Sequence, residues 1–125
     1  MIPSRAVISK STTVTTSATC AASLPNDGAT FWFCSGFEIT AGGATAGSVI
    51  TATLTGLLGG TLSYTIGVPT GVTTMAVALP IEFSSALPSV DVNTNVVLTL
   101  PPTGAGSTGA SVNIHGYKGA RQLNE

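Results

Sequence analysis

The most conspicuous shortage in this chain is charge. Only 7 % of its 125 residues are charged, whereas a soluble globular domain usually carries roughly a quarter. No basic residue occurs between Lys10 and Lys118, and the charged residues within that stretch are Asp27, Glu38, Glu82 and Asp91. With a net charge of −1, the composition argues against nucleic acid or an anionic membrane as a partner.

Long apolar runs are also missing. Thr and Gly interrupt the apolar stretches, so no transmembrane helix is expected. Residues 1–11 contain no apolar segment long enough for a secretory signal. We therefore expect the protein to be made in a cytoplasm and not to be secreted through a signal peptide. A chain of 125 residues is long enough for one domain with a sizeable core.

Cysteine and histidine are scarce as well. The two cysteines, Cys20 and Cys34, have a spacing that fits no zinc or redox motif, and the single His115 does not complete a metal site with them. No metal and no other cofactor is therefore expected. The sequence leaves two states open for the cysteines: buried reduced thiols, or a disulfide between neighbouring strands formed after release from a reducing cytoplasm.

No arrangement of residues typical of an enzyme is visible in the sequence. Glu38, Glu82 and Asp91 are candidates for the carboxylate pair of a glycoside hydrolase, but such residues are more often solvated surface groups. No special nucleophile lies near His115 in the sequence, which favours a strand histidine with a structural hydrogen bond. The glycine-rich run at 104–106 lacks the strand, helix and lysine of a phosphate loop. We expect no enzymatic activity and no catalytic residues.

What the chain does contain is short runs in which apolar and polar residues alternate. Strands are predicted at 11–19, 31–39, 49–58, 61–68, 75–81, 95–100 and 110–117. Gly59 and Gly60 predict a tight hairpin between two of these runs. Gly36 predicts a bulge or a break, Pro80 predicts an edge position, and one short helical turn fits residues 84–87.

These strands predict an all-β fold, an antiparallel β-sandwich of about seven to eight short strands with jelly-roll, Ig-like or β-tulip-like topology and an extended N-terminal arm. We divide the chain into an extended N-terminal arm or edge strand (1–19), a β-sandwich (20–117) and a C-terminal tail (118–125). The alternation predicts a core formed by Phe31, Phe33, Phe37, Ile39, Leu54, Leu62, Tyr64, Ile66, Val77, Leu79, Val96 and Leu98.

Several segments, in their order along the chain, resemble small head-decoration or minor capsid proteins of tailed bacteriophages. They are Phe31-Trp32-Phe33-Cys34, Gly36-Phe37-Glu38-Ile39-Thr40, Leu57-Leu58-Gly59-Gly60-Thr61-Leu62-Ser63-Tyr64, Val68-Pro69-Thr70-Gly71-Val72, Gly104-Ala105-Gly106 and His115-Gly116-Tyr117. The resemblance covers roughly residues 20–117 and rests on composition, turn placement and order. It implies a sandwich or β-tulip-like protein, often trimeric, that binds the outside of the mature capsid and reinforces it. It brings no catalytic residues.

The N-terminal arm is the expected contact with the shell. Its Thr-rich stretch suits an extended strand but has few large apolar groups, so we expect it to leave the sandwich and contact a neighbouring subunit or the major capsid protein. The expected partner-binding residues are Arg5, Lys10, Thr12, Thr13 and Val14, with the two basic side chains pairing with acidic groups. The alternative is that terminal charges only keep flexible ends soluble. Low charge also predicts a homo-oligomer, most simply a homotrimer.

A second class of function stays open, in which the chain is a virion fibre, tail-surface or host-attachment binding module. Such a module needs a cluster of exposed aromatic side chains, and Trp32, Tyr64 and Tyr117 are the candidates. A pilus or adhesin subunit is a further alternative, against which the missing secretion signal counts.

Overall fold

The computed structural model describes residues 6–71 and 75–120, and these residues form strands joined by turns and loops, with no helix among them. The strands are β1 (Ile8–Val14), β2 (Cys20–Leu24), β3 (Phe31–Gly42), β4 (Ser48–Thr55), β5 (Leu62–Val68), β6 (Met75–Pro88), β7 (Val96–Leu100) and β8 (Ala110–Gly119). Val, Ile and Thr are frequent along them, and branched side chains favour extended backbone. None of the described residues therefore belongs to a helix that could cross a membrane.

The strands pair as one long hairpin that is folded over on itself. β4 pairs with β5, β3 with β6, β2 with β7 and β1 with β8, all antiparallel. Two further pairs, β3–β8 and β4–β7, assemble the hairpin into a first sheet with the order β1-β8-β3-β6 and a second sheet with the order β2-β7-β4-β5. This nested order is that of a jelly roll, a double-sheet fold built from two Greek keys. The predicted all-β sandwich is confirmed, and the strand order selects the jelly roll from the expected topologies.

The turn between β4 and β5 is the tip of the folded hairpin. The sequence predicted this hairpin from two consecutive glycines, and in the structure β4 pairs with β5 from Ser48 opposite Val68 to Leu54 opposite Leu62. Gly60 has a φ of 105°, which L side chains rarely adopt. The amide of Gly60 also donates to the carbonyl of Leu57 at 3.0 Å, closing the turn.

The two sheets bury the side chains that face each other. Buried and half-buried residues alternate along β7 and β8, as a sandwich with one covered face requires. The largest fully buried side chains include Phe37, Leu24, Ile39, Leu54, Leu98, Leu100 and Ile114. Burial of such apolar surface stabilises a fold by about 25 cal/mol per Å².

Most of the predicted core residues lie in this interior. Those that are buried are Phe37, Ile39, Leu54, Ile66, Val77, Val96 and Leu98. Tyr64 and Leu79 are half-buried. Leu62 is 36 % exposed, because it begins β5 at the edge of the second sheet.

A β-bulge reverses the two faces of β3 halfway along the strand. The register against both β6 and β8 shifts between Cys34 and Gly36. Trp32 and Cys34 point into the core before the shift, and Phe37 and Ile39 point into it afterwards. The bulge that the glycine predicted is therefore present.

The prediction that Phe31 and Phe33 belong to the core was wrong. Both are half-buried on the outer face, where Phe33 stacks on Tyr117 with ring centroids 5.3 Å apart. One inserted residue reverses the inward and outward alternation of everything before it. A Cβ at Gly36 would lie 2.5 Å from the carbonyl oxygen of Ile81, so the bulge needs glycine there.

β6 is longer than the sequence predicted. It continues beyond Ile81 to Pro88, and the helical turn weighed for residues 84–87 is extended strand instead. Pro80 lies inside β6 without ending it. An outer strand leaves half of its amides without a strand partner, so a proline there costs no ladder hydrogen bond. The predicted edge position of Pro80 is confirmed by the strand order.

The ends of the chain also differ from the prediction. β1 begins and ends earlier than the predicted strand at 11–19, and β2 was not predicted at all. β2 consists mainly of small residues, which give too weak an alternation to be recognised. β8 extends through Gly119 and so includes Lys118, which the sequence assigned to the tail.

Candidate interaction surface

β1 is the outermost strand of the first sheet. It pairs with β8 from Ile8 opposite Gly116 to Val14 opposite Ala110. In the described residues no strand pairs with its other edge. Its side chains are mostly exposed, so main-chain hydrogen bonds hold this strand more than apolar burial does.

The structure places the predicted partner-binding residues on both faces of β1. Lys10 and Thr13 are exposed, and Thr13 Oγ1 lies 2.9 Å from Ser111 Oγ. Thr12 and Val14 are half-buried on the side that faces the second sheet. Arg5 lies outside the described residues.

The predicted departure of the arm from the sandwich does not hold for residues 8–14. These residues pair with β8 of the same chain, so this part of the arm is an edge strand of the first sheet. Main-chain pairing compensates for the shortage of large apolar groups that led to the prediction. Residues 1–5 lie outside the described part of the chain.

Ser9, His115 and Glu38 form a hydrogen-bonded cluster across three strands on the outer face of the first sheet. Ser9 Oγ lies 2.6 Å from His115 Nδ1, and His115 Nε2 lies 2.6 and 2.8 Å from the two carboxylate oxygens of Glu38. A carboxylate only accepts hydrogen bonds, so Nε2 carries a proton and donates it. Nδ1 then accepts from the Ser9 hydroxyl when the ring is neutral.

His115 contacts a residue on each of its two neighbouring strands. It lies opposite Gly36 in the register of β8 with β3, and its ring reaches Glu38, two residues farther along β3. Ser9 lies directly opposite His115 on the other side. The structural hydrogen bond that the sequence predicted for this histidine is therefore present, and it has two partners.

The cluster has the nucleophile, base and carboxylate order of a hydrolytic triad, but its surroundings suit another role. Ser9 is exposed on the outermost strand, and the depression beside the cluster also contains the carboxylate of Glu82. Acyl transfer develops an oxyanion that requires hydrogen-bond donors beside the nucleophile, and Ser9 does not line this depression. The cluster joins β1, β8 and β3 through side-chain hydrogen bonds.

Sequence reasoning missed Ser9 as a neighbour of His115. The two residues are 106 positions apart along the chain, and only the pairing of β1 with β8 brings them together. The structure also separates Asp91 from the other two candidate carboxylates. Glu38 and Glu82 line one depression, whereas Asp91 accepts hydrogen bonds from Asn93 and Thr94 in the loop after β6.

An ion pair between Asp27 and Lys118 stabilises the loop between β2 and β3. Asp27 accepts hydrogen bonds from the backbone amides of Thr30 and Ala29, each at 2.9 Å, and from Lys118 Nζ at 3.1 Å. In that order of size, these bonds hold the pKa of the Asp27 carboxyl well below its usual range. Lys118 Nζ also lies 5.3 Å from the centroid of the Trp32 ring.

Both cysteines are buried free thiols, which corresponds to the first of the two states that the sequence left open. Burial raises the pKa of Cys34 to about 11 and also raises that of Cys20. The Cys20 thiol donates to the carbonyl of Thr12 at 3.3 Å. In the part of the chain that is described, no group of three or more His, Cys, Asp or Glu side chains is placed to hold a metal ion.

The outer face of the second sheet differs from the first in its lack of charge. None of its four strands contains a charged residue or a histidine. Small and hydroxyl side chains form this face: Ala21, Ser23, Val49, Thr51, Thr53, Thr55, Ser63, Thr65, Val97 and Thr99. The face is therefore broad, neutral and able to form hydrogen bonds.

No protein-family model, curated protein or solved structure matches this chain.

Proposed function

We propose that this protein is a non-enzymatic structural component of a virus particle that binds the outside of a tailed-phage capsid and reinforces it. The observation that carries the proposal is the neutral outer face of the second sheet, whose strands contain no charged residue. Contacts within a shell must be desolvated, and small hydroxyl and methyl groups cost less to desolvate than charges do. The jelly roll is also a fold that viral capsid domains use.

The proposed partner is the major capsid protein, and β1 is part of the proposed contact. Edge strands offer main-chain groups that extend a neighbouring sheet. Lys10 is exposed on this edge, and on a molecule with so few positive charges it is suited to an acidic group of a shell subunit. Arg5, with its second positive charge, belongs to the same proposal.

The proposal includes a homo-oligomer, a homotrimer by the family resemblance, on the capsid surface. It involves no cofactor, nucleic acid or membrane. The low net charge of −1 supports this, because electrostatic attraction to a polyanion requires a positive surface.

The attachment-module alternative has less support from the aromatic side chains. Trp32 is 3 % exposed, so it belongs to the core. Tyr64 packs edge-on against Phe37 with ring centroids 5.1 Å apart. Tyr117 is half-buried in its stack on Phe33. A carbohydrate site needs freely accessible aromatic faces, and these three candidates do not provide a cluster of them.

The test is binding to particles. The purified chain is mixed with capsids of the virus that encodes it, prepared without this protein, and bound copies are counted after sedimentation. We expect saturable binding at a copy number comparable to that of the major capsid protein, and particles that disrupt at a higher temperature. Binding of only a few copies at the tail would favour the attachment module. No binding at all would contradict both proposals.

A further inference from the structure

We infer that β5 is a self-association edge, at which the β5 strands of two copies of this chain pair antiparallel about a two-fold axis. Such pairing joins two second sheets into one continuous sheet. The inference goes beyond the proposed function, because it concerns a two-fold contact between copies in solution, whereas the proposed homotrimer is an assembly on the capsid surface.

The other outer strands carry features that oppose pairing with a second copy of the same strand. β1 contains Lys10, and β6 contains Pro80 and Glu82. β2 is only five residues long. Charged residues, prolines and short length are the usual means by which proteins protect their sheet edges.

β5 has none of these protections. It has seven residues without charge or proline, and in the described residues no strand pairs with its outer edge. Its sequence is rich in residues that favour strands, among them Tyr64, Thr65 and Ile66. An uncharged edge strand of this length and composition is a template for a further strand.

The sequence of β5 is complementary to itself in antiparallel register. Thr65 is its middle residue, so pairing about Thr65 places Leu62 opposite Val68 of the second copy. It also places Tyr64 opposite Ile66 of the second copy. These pairs are apolar and lie on the inner face, as the burial of Ile66 and Val68 shows. Leu62, now 36 % exposed, would be covered by the contact.

The charge distribution makes a second copy the expected occupant. A two-fold contact brings each residue near its own copy, so any net charge at the edge would oppose the contact. β4 and β5 contain no charged residue, and two copies meet there without repulsion. The neutral outer face of the second sheet would then continue across the two-fold axis into the second copy.

A matched pair of lysine variants tests the inference. Thr65→Lys places a positive charge on the edge, opposite its own copy. Thr51→Lys places the same charge on β4, directly opposite Thr65 within one subunit and one strand away from the edge. Both positions are exposed, so both variants should fold. By sedimentation analysis we expect a reversible wild-type dimer, with dissociation constant raised about tenfold or more by Thr65→Lys and almost unchanged by Thr51→Lys.

Cross-linking gives a second measurement that does not depend on the lysine variants. Both native thiols are buried, so Thr65→Cys adds an accessible one. Residues directly opposite in antiparallel strands have Cα atoms about 4.5–5.5 Å apart, a distance that a disulfide can span. Mild oxidation should therefore join two Thr65→Cys chains covalently, whereas Thr51→Cys chains should stay separate.

Three results would overturn the inference. The first is a wild-type chain that is monomeric at its highest soluble concentration. The second is a dimer whose dissociation constant does not change with Thr65→Lys and that Thr65→Cys does not cross-link. The third is a trimer insensitive to Thr65→Lys. The last result would leave the capsid proposal intact. Conversely, a Thr65-dependent dimer that binds no particle would support the inference and contradict the proposed function.

Discussion

The imidazole Nε2 of His115 lies 2.6 Å from Oε2 of Glu38, across the neighbouring strands β8 and β3. The other ring nitrogen lies 2.6 Å from the hydroxyl of Ser9 on β1. One side chain thus connects three strands of the first sheet on its outer face. Because β1 buries few side chains of its own, this connection adds to the main-chain pairing that holds the outermost strand.

Removal of the histidine should therefore loosen β1. We expect His115→Ala to lower the free energy of unfolding by about 0.5–1.5 kcal/mol, since the cluster is only partly buried. The substitution should accelerate amide hydrogen exchange more in residues 8–14 than in β7. Asn113→Ala, on the same strand and face, is the matched control. Equal exchange rates in the two variants would show that His115 does not hold β1.

The Asp27 carboxyl should stabilise the fold only at pH values at which it is ionised. The amides of Thr30 and Ala29 and the Lys118 ammonium keep its pKa below the ordinary 3.8. Because the folded pKa is lower than the unfolded one, the stabilisation is complete above about pH 4 and decreases as the pH falls further. We expect Asp27→Asn to reduce the dependence of Tm on pH below pH 4.

Lys118→Met is the control for that prediction. It removes only the third contribution to the lowered pKa, behind the two backbone amides, so it should change the acid dependence of Tm less than Asp27→Asn does. A larger effect of Lys118→Met would mean that the ion pair, and not the backbone, determines the pKa of Asp27.

The bulge in β3 should give two phenylalanines of the same strand different importance. Phe37 is fully buried, and we expect Phe37→Ala to cost about 3–5 kcal/mol of unfolding free energy. Phe33 is half-buried on the outer face, and Phe33→Ala should cost about 1–2 kcal/mol. Chemical denaturation measures both. Equal losses would match uninterrupted alternation of β3 and contradict the bulge.

The two thiols should be unreactive in the folded protein. Burial raises the pKa of Cys34 to about 11, so at pH 8 the thiol is protonated, and a protonated buried thiol is a poor nucleophile. We expect an aromatic disulfide reagent to label neither Cys20 nor Cys34 until denaturant is added, and then to label both. Rapid labelling of the native chain would contradict this burial.

A change of charge on β1 should weaken binding to the shell. If Lys10 pairs with an acidic group of the capsid, Lys10→Gln should reduce the affinity for particles about threefold to tenfold, and added salt should diminish the difference. Lys118→Gln removes the same charge from the C-terminal end of β8 and should leave binding unchanged. If both variants bind particles with the wild-type affinity, the terminal charges serve only solubility.

Local features of the sequence predicted the β4–β5 hairpin and β7 better than they predicted which face of β3 is buried. The Gly59-Gly60 turn and the alternation on either side of it indicated the β4–β5 hairpin, and the alternation of residues 95–100 indicated β7. In the first sheet, the same method assigned Phe33 to the core. A bulge adds a single residue, and its effect on facing is not visible until the partner strands are known.

The candidate surface was predictable only in part. Lys10 and Thr13 were predicted to bind a partner from an extended segment. Both are exposed on β1, and their role in binding stays a prediction. No local pattern indicated that Ser9 contacts His115, because the two residues are 106 positions apart. Side chains that meet across paired strands are determined by strand order, which a single sequence does not encode in any local pattern.

By itself, the sequence determined that this protein is an all-β domain with a nearly neutral surface, since composition and a period of two are local properties of the chain. Only the tertiary structure decided that the nested pairs form a jelly roll, that Trp32 and not Phe33 lies in the core, and that β5 is an outermost strand of the second sheet. Each of these depends on which strand lies beside which. That choice is made by long-range pairing, in which every strand buries its apolar face against residues far away in the chain.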